Sequence, residues 1–153
     1  VTLAVLLRGR ISVGEAIPYM IVQILGAFAA SGMVMLLSAD KIPAESAAMA
    51  NTSYALIAEV LGTFALAYVV LNVATAKGTT GNMFYGLSIG FTVLSMAYAL
   101  GGVSGGAFNP AVAVGITMLK LAAWNNFWVY LTGCFGGAAL AALVFRINNP
   151  EDK

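Results

Sequence analysis

The chain has no histidine and a single cysteine, Cys134, among its 153 residues. An intrachain disulfide therefore cannot form, and metal binding or His-based acid–base chemistry has little to be built from. Charge is scarce as well. Only 8% of the residues are Asp, Glu, Lys or Arg, where a soluble domain carries about a quarter. A net charge of +1 offers nothing to a nucleic acid. No nucleophile or acid–base pair stands out, so neither an enzyme nor a cofactor nor a metal is predicted. What the chain does have is apolar surface. Hydrophobic residues make up 61% and the mean hydropathy is +0.93, which together predict an all-α membrane protein.

Four segments are long and apolar enough to cross a bilayer: residues 16–37, 54–76, 83–102 and 127–145. Residues 1–12 read as the end of a short apolar helix and its loop. Val1 is not an initiating methionine and no cap or signal precedes it, so the chain is expected to be a piece lacking its N-terminal part. Arg8, Arg10, Lys77, Arg146 and Lys153 fall on one side of an alternating topology, and Lys41 and Lys120 on the other. The more basic side, with the C-terminus, is expected to be cytoplasmic. Trp124, Trp128 and Tyr130 suit an interfacial belt, with packing inside the bundle as the alternative for each.

Between the last two spans lies Gly105-Gly106-Ala107-Phe108-Asn109-Pro110-Ala111. Its glycines and proline cannot continue a spanning helix. Residues 109–120 leave room for only about 16 Å of helix, roughly half the hydrocarbon thickness. A half-helix that begins in mid-membrane aims its free amides and positive dipole end at something polar, as solute paths require.

The chain also resembles itself at a separation of 111 residues. Val1 matches Val112, Tyr19 matches Tyr130, Gly26 matches Gly137, Ala27 matches Ala138 and Ala30 matches Ala141. Two spans intervene, so the repeats run in opposite directions through the membrane, a design associated with sites near the midplane. Glu59, about one turn inside a span, is an expensive placement for a carboxylate unless it is paired or used. Snorkelling to the interface is the alternative. Asn72 is expected at a helix–helix contact and Cys134 in plain packing.

Phe108-Asn109-Pro110-Ala111 after a glycine-rich loop, with Ala58-Glu59-Val60-Leu61-Gly62-Thr63 at the start of a span, resembles the second repeat of the aquaporin family. Val1-Thr2-Leu3-Ala4 resembles the residues after that family's first Asn-Pro-Ala. Tyr19 with Gln23-Ile24-Leu25-Gly26-Ala27 is similar to its third span, and Tyr130 with Gly133 and Gly137-Ala138 to its sixth. The resemblance covers nearly the whole chain. It implies an aquaporin-like helical bundle with four of six spans present, and a homotetramer in the lipid bilayer with the plasma membrane as its expected location.

By that resemblance Asn109, Pro110 and Ala111 form the pore centre, where the half-helix dipole excludes ions. Carbonyls of Gly105, Gly106, Ala107 and Phe108 form an acceptor ladder, and Val93 lines the opposite wall. Glu59, Tyr19, Gln23, Gly26, Tyr130 and Gly137 are expected as structural support. The outer constriction departs from the family. Val112 stands where an arginine is usual and Ala97 where a histidine is frequent, with Gly106 as the third position. A wider, less polar mouth is expected, passing water and small neutral solutes such as glycerol, urea, ammonia or hydrogen peroxide. A coupled secondary transporter and a non-conducting structural membrane protein are the alternative functions.

Overall fold

A computed structural model describes residues 1–152 as six α-helices. Lys153, counted above on the basic side, lies outside the described residues. Helix α1 (Thr2–Arg8) ends at Gly9, whose φ of 84° lets the chain turn away. Helix α2 (Val13–Leu37) begins three residues before the apolar run. Ser12 and Glu15 close a capping box there and extend the helix toward the surface. Helix α3 (Thr52–Ala74) starts at Asn51, whose Oδ1 accepts from the N–H groups of Ser53 and Tyr54. Helix α4 (Tyr85–Ser104) stops at Gly105, with φ 91°. Helix α5 (Pro110–Met118) is only nine residues long, and α6 (Phe127–Asn148) closes the fold. Four of the six, α2, α3, α4 and α6, have the length and hydropathy to cross a membrane. The protein is a multi-pass integral membrane protein.

The core is the seam between α3 and α6. Gly133 and Gly137 of α6 lie directly on the backbone of α3. A Cβ at Gly137 would stand 2.5 Å from the Val60 carbonyl oxygen, and one at Gly133 would stand 2.6 Å from Glu59 Cβ. Small residues permit this approach, and in lipid, close packing is what holds helices together. Ala67 and Leu71 of α3 continue the seam with Ala138, Ala141, Ala142 and Phe145 of α6, and Ala4 of α1 packs into the same cluster. The half-helices cross over: α1 packs on α6, and α5 packs on α2. Each therefore rests on the long span of the opposite repeat.

The expected support from α2 differs from this pattern. Tyr19 is 59% exposed, and a Cβ at Gly26 would meet nothing within 4 Å. Their repeat partners Tyr130 and Gly137 are buried instead. The asymmetry has a direct cause: α3 covers α6, while no helix of the described chain covers the corresponding face of α2. Tyr130 accordingly sits inside the bundle rather than in an interfacial belt. Asn72 also differs, since its Nδ2 donates to Tyr68 O in its own helix.

Contacts fix the two sides. Lys120 Nζ donates to Ala44 O and its carbonyl accepts from the Ala47 N–H, so α5 returns to the side of the α2–α3 loop. On the other side, one carboxylate gathers three chain segments. Asp152 Oδ1 accepts from Arg8 Nη2 at 2.7 Å and Arg10 Nη2 at 3.3 Å, and Oδ2 accepts from the Lys77 N–H at 2.7 Å. Arg8 is buried, with its guanidinium 4.6 Å above the Phe145 ring. The Lys77 N–H, then Arg8 and Arg10, hold the Asp152 carboxyl below the usual carboxylate range.

Two measurements test this architecture. Gly137→Ala should lower the thermal midpoint in detergent, reflecting an overpacking cost of roughly 1–3 kcal/mol. Gly136→Ala, whose Cβ would meet only Val60 Cγ2 at an ordinary 3.9 Å, should not. The depressed Asp152 carboxyl stabilises the tail fully above its unfolded value, and the link is lost as pH falls through the lower folded value. A spin label at E151C should therefore keep the same mobility from pH 7 to 5 and loosen only below about pH 4.

Candidate functional site

The site is built on a loop that turns back inside the bundle. Gly105, Gly106 and Phe108 have φ values of 91°, 66° and 49°, so three of four consecutive residues are left-handed. Glycine adopts this conformation freely, but for Phe108 it costs about 1–2 kcal/mol. The Phe108 ring provides the compensation. It is 2% exposed and packs with Leu66, Val70, Met96 and Leu100. Gly62 leaves the slot for it, and a Cβ there would overlap the ring.

A loop at this depth has amide donors that water does not reach. Glu59, fully buried on α3, satisfies them. Its Oε1 accepts from the Ala107 N–H at 3.0 Å and from Ser104 Oγ at 2.6 Å, and its Oε2 from the Phe108 N–H at 2.7 Å. Cys134 Sγ lies 3.7 Å from Oε2, so the cysteine joins this network rather than only filling space. Ser104 Oγ accepts in turn from the Gly106 N–H, and Tyr130 OH donates to Ser104 O at 2.6 Å. Every group reaching the Glu59 side chain is a donor, which suits the acceptor-only carboxylate.

Asn109 then starts α5. Its Oδ1 accepts from the Ala111 N–H at 3.0 Å, and Pro110 takes the first helical position, where its missing N–H costs nothing. A cavity of about 220 Å³ opens at this point, lined by Asn109, Pro110 and Ala111 of α5 together with Val1 and Thr2 at the start of α1. The start of α5 and the first described residues of α1 thus share one cavity. Gln23, which shares this cavity, donates to Thr2 Oγ1 at 2.9 Å. Thr63 Oγ1 is buried there with no hydrogen-bond partner among the described residues. Along α5, a groove of about 440 Å³ against α2 is lined by Asn109, Val112 and Gly26.

The remaining expected positions are more dispersed. Val112 is 44% exposed on α5, and Val93 and Ala97 lie on the exposed face of α4 outside these two cavities. Gly106 stays in the loop beside Phe108. Sequence reasoning passed over Ser104, and it named Gly62 and Thr63 only as part of a motif, without a role. Ser104 carried a signal, as a hydroxyl at the last turn of an apolar span. The site offers hydrogen-bond donors at a half-helix start, surrounded by apolar walls. Such an arrangement orients a small polar molecule without trapping it.

Comparison with known proteins points to one family. The sequence profile of the family described as "Major intrinsic protein" matches residues 1–145. The chain is 36% identical over 150 residues to "Probable aquaporin TIP3-2" of Arabidopsis thaliana, covering 95% of this chain and 55% of that protein. It is 34% identical over 159 residues to "Glycerol uptake facilitator protein-like 6" of Lactiplantibacillus plantarum, covering 99% and 73%. With "Aquaporin TIP1-2" of Zea mays the identity is 34% over 155 residues, covering 96% and 59%. The chain spans little more than half the length of most of these relatives.

Glu59→Gln should loosen the loop. The amide replaces one accepting oxygen with a donor and leaves at least one buried N–H unpaired, at a cost of about 1–3 kcal/mol. Hydrogen exchange should accelerate in peptides covering 105–108 while the α3–α6 seam stays protected. Unchanged exchange there would remove Glu59 from its supporting role.

Proposed function

The chain belongs to the major intrinsic protein family, and on that premise we propose that it forms a passive transmembrane pore for water and small neutral solutes. Membership carries passive conduction rather than catalysis. The observation that supports the pore most directly is that Asn109, at the start of α5, shares one cavity between apolar walls with Val1 and Thr2 beside α1. Asn109 Nδ2 is the donor a passing oxygen meets, since Asn109 Oδ1 is held by the Ala111 N–H. The positive dipole end at the same point disfavours cations. Gly105, Gly106, Ala107 and Phe108 bring their carbonyls along the approach: the N–H groups of Gly106, Ala107 and Phe108 turn toward Ser104 and Glu59, and that of Gly105 toward Gly101 O.

Coupled transport lacks a titratable group to drive it. Glu59 is committed to the loop and Glu15 to the cap of α2, and these are the two carboxylates within the spans. The wide-mouth reading rests on Val112, Ala97 and Gly106, none of which brings a charge or a large side chain. We place the basic side in the cytoplasm on the distribution of Arg8, Arg10, Lys77 and Arg146, with the plasma membrane as the expected location. A homotetramer with one pore per subunit completes the proposal. The outward-facing apolar surfaces of α2 and α4 are available for contacts of this kind.

Stopped-flow light scattering on proteoliposomes of the complete gene product, challenged with sucrose and separately with glycerol, tests this reading. Fast water and glycerol entry is expected. Val112→Arg should cut glycerol flux about tenfold, about 1.4 kcal/mol of barrier, while water flux falls less. Fast water with glycerol excluded in the wild type would overturn the wide mouth. Flux no faster than empty liposomes would overturn the pore.

A further inference from the structure

The basic side of the fold holds a charge cluster that the pore centre does not use. A cavity of about 600 Å³ opens there, walled by Arg10, Thr75, Thr79, Thr80, Asn82 and Tyr85. It lies between the α1–α2 loop, the α3–α4 loop and the start of α4, and we take it as the basic-side mouth of the pore. We propose that the C-terminal tail is a strap: Asp152 parks Arg10 against the wall of this mouth, and release of the tail moves the guanidinium into the opening and slows flux. The proposal rests on the pore reading.

The geometry distinguishes the two arginines. Arg8 and Arg10 donate to the same oxygen, Asp152 Oδ1. Without that carboxylate, two guanidinium groups face each other with no shared counter-ion and repel. The Arg8 side chain is only 2% exposed and lies over Phe145, so it has nowhere to go. The Arg10 side chain is 39% exposed, and its other bond is a 3.1 Å contact to Thr75 O. Arg10 is the group free to move.

The open space is on its side. Neighbouring polar groups are already engaged: Thr79 Oγ1 donates to Asn72 O, and Asn82 Nδ2 donates to Val73 O and Thr79 O. Among the described residues, no acidic side chain lines the cavity. A guanidinium there occupies the passage and orders its water. The strap has two further ties, the Lys77 N–H to Asp152 Oδ2 and Lys77 Nζ to Glu151 O, so the tail and the α3–α4 loop release together. Cleavage of residues 150–152, or a partner that grips them, has the same effect as losing the carboxylate.

The test uses the complete gene product in proteoliposomes, as wild type, Asp152→Ala and Asp152→Ala/Arg10→Ala. Water flux should fall about threefold in the single variant and return in the double, by the electrostatic and steric argument above. A cysteine in place of Thr80 supplies a readout independent of conduction. The ratio of its modification rates by anionic and cationic thiosulfonates should rise about threefold in Asp152→Ala and revert with Arg10→Ala. Because Asp152→Ala leaves Arg8 without its counter-ion and threatens folding, a protease site placed after Asn149 provides the same release in protein already folded and reconstituted. An unchanged reagent ratio after release, or a flux loss that persists without Arg10, overturns the strap. A ratio that moves while flux stays at the wild-type level overturns its control of the mouth. Wild-type flux equal to empty liposomes overturns the pore reading instead, and the reagent ratio then decides the tail's hold on Arg10 alone.

Discussion

A carboxylate inside the membrane is the constraint on which the rest of this structure depends. Backbone that re-enters a bilayer must have its amides satisfied by protein, because the surrounding lipid offers nothing. Glu59 meets that need for Ala107 and Phe108 directly, and Ser104 extends the arrangement to Gly106. The cost of burying Glu59 and the cost of burying the loop are large separately and cancel together. Much of the nearby sequence follows from bringing the two together. Gly133 lets α6 come against Glu59, and Gly62 admits the Phe108 ring one turn below it. Tyr130 ties down the carbonyl of Ser104 at the end of α4.

The half-helices show how the inverted repeat turns symmetry into a site. Helix α5 is too short to span, and α1 and α5 are each supported by the long helix of the other repeat. Neither repeat builds the central cavity alone. Val1 and Asn109 are far apart in the chain yet share its wall.

Legibility from sequence was uneven, for physical reasons. Spans were visible because hydropathy and length are properties of the segment itself. The half-helix was visible because Asn109 and Pro110 have only one comfortable place, a cap followed by a first turn. Glu59 stood out because an ionisable residue in an apolar run demands a partner, although the sequence did not say that Ser104 and Cys134 would also be near it. Tyr19 and Tyr130 illustrate the limit. They occupy equivalent repeat positions, and only the covering helix makes one buried and the other exposed. Asn72 was misread because an amide in a span satisfies itself as readily on its own helix as on a neighbour. The Asp152 cluster left no local pattern at all. Its members come from three separate segments, and nothing in a charged tail announces which arginine it will meet.

That cluster has a consequence for biosynthesis. Arg8 is translated 144 residues before the carboxylate that neutralises it. At about 5–20 residues per second, the interval is roughly 7–30 s. Throughout that time α1 carries a cation whose final pocket, under Phe145 and beside Asp152, has not yet emerged from the ribosome. The guanidinium must wait at the headgroup layer, and the short helix cannot settle at its final depth. Seating of α1 is thereby tied to completion of the C-terminus, so the first described helix is among the last to be locked in place.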